Sequence, residues 1–203
     1  MRSFKIFVDF DKEEAWLNQK AAQGQGLVST AFGYEFTPII PGSAVIRIDY
    51  RDSMKPADYA DYLAMFADAG WQHVGGSRWS GGQYFATATR DARADIFSDP
   101  ASKAQRYRRA MAVSFALLLP FFVISLALLV QGALAITPDQ IYLTPGLWQM
   151  QGAQFWRAFL FETPFALMRL SGPIILIGAC VLLGSTLLYQ WALYRRAVRV
   201  AAS

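Results

Sequence analysis

The sequence predicts an α+β fold: a ferredoxin-like β-α-β-β-α-β-β sandwich over residues 1–90, followed by a two-helix transmembrane hairpin. Three observations carry this reading. Several short runs before residue 90 alternate apolar and polar residues, two stretches between them place apolar residues at helical spacing, and two long uncharged runs follow residue 109. The first of these, Ala110 to Ile136, holds no charge over 27 residues, more than the roughly 20 a helix needs to cross a hydrocarbon core.

Each element follows from local chemistry. Ser3 to Phe10 alternates, with Phe4, Ile6, Val8 and Phe10 opposite Lys5, Phe7 and Asp9, the period of a half-buried strand. Asp11, with Glu14 three residues on, resembles a capping box and predicts a helix from about Lys12 to Gln23, with Trp16, Leu17 and Ala21 inward and Gly24 or Gly26 ending it. Leu27 to Phe36 and Val45 to Arg51 alternate again around Pro41, Gly42 and Ser43, so the two read as a hairpin. Pro56 suits the first turn of a second helix, which carries Tyr59, Tyr62, Leu63, Phe66 and Ala69 at helical spacing and stops at Gly70. Trp71 to Val74 and Gln83 to Thr89 close the domain as a strand pair, with Gly-Gly and Ser-Gly-Gly as turns.

Residues 91–109 form a polar juxtamembrane linker, where Ser98 or Asp99 can cap a helix opened by Pro100. The first crossing, 110–136, contains Pro120, and the second runs over 172–194. Between them, 137–171 is rich in aromatic residues but contains Arg157, Glu162 and Pro164, which fits an extracytoplasmic amphipathic segment lying on the outer leaflet. A basic tail, 195–203, ends the chain. Arg106, Arg108, Arg109, Arg195, Arg196 and Arg199 flank the crossings, against Arg157 and Arg169 in the connecting loop, so the positive-inside rule puts both termini in the cytoplasm, with those six as membrane-anchoring residues facing lipid. A bacterial inner membrane is the expected location. Ser171, Gly178, Ser185 and Ala192 recur every seven residues as a smooth helix-packing stripe, which serves either packing of the two helices on each other or packing with a second subunit or another protein.

Composition removes several function classes. Residues 1–105 hold eleven Lys or Arg against thirteen Asp or Glu, so no nucleic-acid partner is expected. Cys180 is the single cysteine and lies in an apolar run, so no intramolecular disulfide forms. No Cys, His, Asp and Glu set has the spacing of a metal site, and Gly75 to Gly82 belongs to hairpin turns and does not form a phosphate loop. His73 is the one histidine, in an expected strand beside Trp71, where a structural role outweighs that of a general base. No catalytic residue, metal or cofactor is expected. Lys5, Asp9, Glu35, Arg47, Asp49 and Arg51 fall on the sheet face opposite the two helices, a mixed-charge surface expected to take a ligand or partner.

Several landmarks resemble a known family. EEAWLN at Glu13 to Asn18, YEF at Tyr34 to Phe36, RIDY at Arg47 to Tyr50, MFADAGW at Met65 to Trp71, and IFSD with SKAQRYRR from Ile96 to Arg109 are similar to the bacterial domain of unknown function 2812, over about residues 3–109. The resemblance implies a domain often followed by membrane segments and often found near PadR-like transcriptional regulators, hence a regulatory or envelope-response role, and it supplies no catalytic residues.

The expected function is therefore a non-enzymatic membrane protein with a cytoplasmic ligand- or partner-binding domain. Membrane lipid, and a protein partner or second copy of the chain, are its expected partners. An accessory subunit of a membrane transporter or enzyme is the alternative, and an enzyme acting near the bilayer through His73 or the sheet-face carboxylates is a further one.

Overall fold

A computed structural model describes residues 1–79, 81–88, 91, 94–132 and 137–201. The expected strand end at Thr89, the turn residue Ser80, the domain end at Arg90, the end of the first crossing at Ile136 and the end of the tail at Ser203 lie outside the described residues. In chain order the elements are β1 (Arg2–Ser3), α1 (Phe10–Ala22), β2 (Gln25–Ser29), β3 (Tyr34–Pro38), β4 (Val45–Arg51), α2 (Pro56–Asp68), β5 (Gln72–Gly75), β6 (Gly81–Thr87), α3 (Pro100–Val130), α4 (Pro138–Ile141) and α5 (Gly152–Ala201), with a 3₁₀ turn at Leu147–Gln149. The chain divides into a front unit, Met1–Val113 with Leu187–Ser203, and a second unit, Ser114–Thr186.

The α+β composition is present, but the strands form two antiparallel sheets, β1-β3-β2 and β4-β6-β5, where the ferredoxin-like plan has one. Gly33, at φ 81°, turns the chain inside the expected strand 27–36, so β2 and β3 make a hairpin with each other. The strand at 45–51 therefore does not pair with it, and β4 pairs with β6. The two helices also lie on opposite faces of the β4-β6-β5 sheet. Leu17 and Ala21 of α1 pack against Ile46 and Ile48, while Tyr62 and Phe66 of α2 pack against Val45 and Phe85. Alternation in β4 marked two faces correctly, yet both are covered.

The N-terminal strand is short for a related reason. Only Arg2 and Ser3 pair, with β3, and Ile6 is 94% exposed. The free edge of β4 is the place where another strand would add, and side chains occupy it instead. Asn18 of α1 accepts from Ile46 N at 2.9 Å and donates to Ile46 O at 2.9 Å. Glu14 accepts from Ile48 N at 3.0 Å, and Arg106 donates to Ile48 O at 2.9 Å. Arg109 donates to Tyr50 O at 2.7 Å. Every polar backbone group on that edge from 46 to 50 thus has a partner without a neighbouring strand.

Helix α1 starts two residues earlier than the sequence suggests. Asp9, and not Asp11, caps it, accepting from the amides of Asp11 and Lys12 at 3.1 and 3.3 Å. Asp11 is engaged elsewhere: Arg106 Nη2 donates to it at 2.7 Å and the Tyr107 hydroxyl at 2.9 Å. Arg106 is fully buried and also donates to Glu14 Oε1 at 2.5 Å. The first turns of α3 and the last turns of α5 are in this way part of the front unit, with Tyr107, Ala110, Leu193 and Tyr194 in its core cluster.

Helix α5 is continuous over 50 residues, of which those up to Thr186 belong to the second unit. Within the expected amphipathic segment 137–171, residues 152–171 continue directly into the apolar run as part of α5. Residues 138–150 lie along this part of α5. Tyr142 stacks on Phe159 with ring centres 5.1 Å apart, and Leu147 is fully buried. Arg169 donates to Glu162 and to Ile141 O, both at 2.6 Å, and Glu162 also accepts from the Thr144 hydroxyl at 2.8 Å. The helices α3 and α5 are long and apolar enough to cross a membrane, and only 6% of their most apolar windows is buried by the rest of the chain.

The Arg106 and Glu14 pair yields a stability prediction. Arg106→Met leaves buried Glu14 with only the Ile48 amide and the more distant Lys103 and should cost about 3 kcal/mol, while Arg106→Met with Glu14→Met should recover much of that loss. The readout is the urea midpoint of the full chain in mild detergent. A loss below about 1 kcal/mol would reduce the contact to the rank of an exposed ion pair.

Candidate functional site

The six residues expected to form one charged face are dispersed. Lys5 is exposed, with Nζ 4.8 Å from the Phe7 ring centre, and Glu35 is bound by Arg2. Asp9 caps α1. Arg47, Asp49 and Arg51 share the β4 face that α2 covers, and Asp49 is 1% exposed, accepting from Arg51 Nε at 2.7 Å, Tyr62 at 3.1 Å and Arg109 at 3.0 Å. Arg47 donates to Ile46 O at 3.0 Å and lies 3.9 Å from Asp95. Asp49 and Arg51 pair with each other under α2 while Lys5 and Glu35 lie elsewhere, so the six do not present a common surface.

The basic collar divides in a similar way. Arg106 and Arg109 point into the front unit and do not face lipid, because buried Glu14 and Asp49 demand cationic partners. Arg108, Arg195, Arg196 and Arg199 are exposed, with Arg195 4.8 Å from the Trp191 ring centre. The stripe Ser171, Gly178, Ser185 and Ala192 is also exposed, and a Cβ on Gly178 would meet nothing within 4 Å. A different face of α5 meets α3, where Ser125 Oγ and Cys180 Sγ are 3.6 Å apart.

What the front unit does offer is a cleft of about 960 Å³ between β2 of one sheet and β5 and β6 of the other. Glycines shape it. A Cβ on Gly75 would lie 2.4 Å from Thr30 Oγ1, and one on Gly76, at φ 107°, would lie 2.6 Å from Gln83 Oε1, so these positions admit no side chain. Leu27, Ile39, Ile46 and Trp79 give its apolar walls. The described residues lining it include no Asp, Glu, Lys or Arg. Burial lowers the pKa of His73, which therefore stays neutral near pH 7. Gln83 donates to Ser77 O at 2.6 Å, which turns its oxygen toward His73 Nε2, 3.1 Å away. Ser29, Thr30, Thr37, Gln72, His73 and Tyr84 also line it, so such a wall suits an uncharged molecule with an apolar body and several hydrogen-bonding groups.

One lining residue connects the cleft to α1. The Tyr84 and Tyr34 hydroxyls both donate to Glu13 Oε1 at 2.6 Å, and Glu13 is 3% exposed. Burial pushes the Glu13 carboxyl up, against the two hydroxyl hydrogen bonds. The next residue, Glu14, holds Arg106 of α3. The sequence signal for the cleft was Gly75, Gly76, Gly81 and Gly82, which serve as a wall as well as turns. Among the described residues, no group of three His, Cys, Asp or Glu could hold a metal ion.

Glu13 has a definite pH signature. Its folded pKa exceeds the ordinary 4.5, so its contribution is fully present below that value and is lost as pH rises through the folded pKa. In chemical denaturation across pH, the stability advantage of wild type over Glu13→Gln should be largest in acid, shrink with rising pH and then level off. A difference independent of pH would place the carboxyl in a water-like environment.

Comparison with known proteins agrees with the sequence resemblance. No curated protein and no solved structure matches the chain. Residues 9–119 match the family described as protein of unknown function (DUF2812), a span that includes α1, the cleft, Arg106, Arg109 and the first turns of α3. With more than half its length matched, the chain belongs to the DUF2812 family.

Proposed function

We propose that this chain is a membrane-anchored, non-catalytic binding protein whose front unit holds a small, uncharged ligand in the cleft between its sheets. The observation that carries this reading is the uncharged lining of a cleft large enough for such a molecule. A charged substrate would lose its hydration there without gaining an opposite charge. Tyr84, Glu13, Glu14 and Arg106 connect the cleft with α3, so binding that reorders Tyr84 acts on the helix that leaves the front unit. A regulatory role follows, in which ligand occupancy is the signal and α3 the output.

The anchor is α3 and α5 as a hairpin in a bacterial inner membrane, with both termini in the cytoplasm. Support comes from their length, their apolar character and the small share of their surface that the chain itself buries. Exposed Leu, Ile, Val and Phe along both helices, left in water, would cost about 25 cal/mol for each Å². A second reading, an accessory subunit of a membrane complex, is favoured by the exposed small-residue stripe at Ser171, Gly178 and Ser185.

Three measurements test these readings. In nanodiscs, a small uncharged alkyl diazirine should photolabel peptides 26–31 and 72–88 of the full chain. Val28, 49% exposed on the cleft wall, can become Asp without disturbing the core, and Val28→Asp should cut that labelling about tenfold or more, a loss of roughly 1.4 kcal/mol. Label confined to α3 and α5 defeats the cleft. A fluorescent protein fused after Ser203 should fluoresce as a cytoplasmic reporter, and a periplasm-only signal would invert the topology. Gly178→Leu should release the chain from a larger detergent-stable complex if the accessory reading holds, and an unchanged elution volume would dismiss it.

A further inference from the structure

A second cavity, separate from the cleft, measures about 460 Å³ and lies where the start of α1, the start of α3 and the last turns of α5 meet. Its wall has two halves. Leu193, Ala197 and Val200 of α5 make one side apolar, and Lys12, Lys103 and Arg196 bring three cations to the other. Asp9 and Asp11 also line it, but their oxygens are already engaged. Asp9 takes two α1 amides and the Tyr189 hydroxyl, while Asp11 takes Arg106 and the Tyr107 hydroxyl, whose single proton lies closer to Asp11 than to Asp9.

The cations are held far less closely. Lys12 Nζ spends one of its three N–H donors on the Tyr189 hydroxyl, 3.1 Å away, and is 3.7 Å from Asp9. Lys103 Nζ lies 3.5 to 3.8 Å from Asp95, Asp11 and Glu14, beyond the ~2.7–2.9 Å of a close charge-assisted hydrogen bond. Arg196 is exposed and makes no ion pair among the described residues. The carboxylates are therefore satisfied from within the fold, while the cationic side of the cavity keeps donors for an anion. A free inorganic anion would have to lie against three apolar side chains as well. An anion with an apolar body fills both halves.

We propose that this cavity holds the headgroup of an anionic membrane phospholipid, its phosphate on Lys12, Lys103 and Arg196 and its glycerol and upper acyl carbons against Leu193, Ala197 and Val200. The inference rests on the membrane reading above. It gives Arg196 a defined ligand in place of a general role in the basic collar.

The test uses the full chain in phosphatidylcholine nanodiscs doped with phosphatidylglycerol, released for native mass spectrometry. Wild type should retain one phosphatidylglycerol. Lys12→Gln with Arg196→Gln, which removes charge, and Ala197→Trp, which fills the apolar half without changing charge, should each reduce retention by about tenfold or more. Retention that is absent, or equal in wild type and both variants, overturns the proposal. Inorganic phosphate added to the delipidated chain should leave a subsequent phosphatidylglycerol titration unchanged; competition at equal concentrations would assign the site to a free phosphate and overturn the lipid. Membrane fractionation separates the two levels of the argument: a chain that inserts in bilayers but retains no lipid loses only this site, whereas a chain that stays out of the membrane fraction loses the anchor as well.

Discussion

The free edge of β4 must be satisfied, and much of the front unit follows from how that is done. An edge strand that ends in the protein interior carries peptide groups which water cannot reach and which no strand completes. Here Asn18, Glu14, Arg106 and Arg109 take the hydrogen bonds that a neighbouring strand would have made. Two of those side chains come from α1 and two from α3. Closing the sheet and attaching α3 are consequently one set of interactions. Burying the guanidinium of Arg106 is costly unless it is paired and fully hydrogen-bonded. Glu14, Asp11 and Ile48 O take the two terminal nitrogens, while Nε stays buried without a hydrogen-bond partner, and drawing Asp11 to Arg106 leaves Asp9 as the helix cap.

This arrangement explains which parts of the fold were legible in the sequence. The helix Pro56–Asp68 announces itself through Pro56 and the Tyr59, Tyr62, Phe66 spacing, and the pair β5 and β6 through its glycine turns. The apolar and polar rows of β4 were also visible. What alternation cannot say is which row is wet. Arg47, Asp49 and Arg51 look like a solvated face until α2 covers them and Arg109 arrives from about 60 residues away to neutralise Asp49. The cleft was hidden for a different reason. Gly75, Gly76, Gly81 and Gly82 have local explanations as turn residues, and only the approach of Thr30 to Gly75 and of Gln83 to Gly76 shows that these two also keep a space open. Long-range pairing, in each case, changes the meaning of a residue whose local role was read correctly.

The two kinds of strand edge make a useful contrast. The β4 edge is closed by charged side chains and has no room for a ligand. The edges of β2 and β5 approach at Thr30 and Gly75 without a charged residue between them, and the cleft opens beside that contact. Tyr84 belongs to both regions: its ring lines the cleft, and its hydroxyl reaches Glu13 on the helix that closes the β4 edge. A change in the position of Tyr84 would leave Glu13 with one hydroxyl in place of two in a buried site, and an unsatisfied buried carboxylate is expensive. The connection from cleft to α1 is therefore stiff in energetic terms, although it runs through a single hydroxyl.

The length of α5 has its own logic. A hydrocarbon core of roughly 30 Å accounts for only about 20 residues of helix, and α5 has 50. Isolated helix in water gains little from propensity alone and relies on packing. The end of α5 from Leu187 onward packs within the front unit through Tyr189, Leu193 and Tyr194. Its first turns carry residues 138–150, held by the Tyr142 and Phe159 rings and by Glu162, which Arg169 neutralises two turns along the same helix. That pair brings one charge of each sign into contact and spends their remaining hydrogen bonds on Leu143 N, Thr144 and Ile141 O. The aromatic loop is thereby tied to the helix at a point that exposes little net charge, and Glu162, one of the residues that kept 137–171 from reading as a spanning segment, is neutralised within a continuous helix.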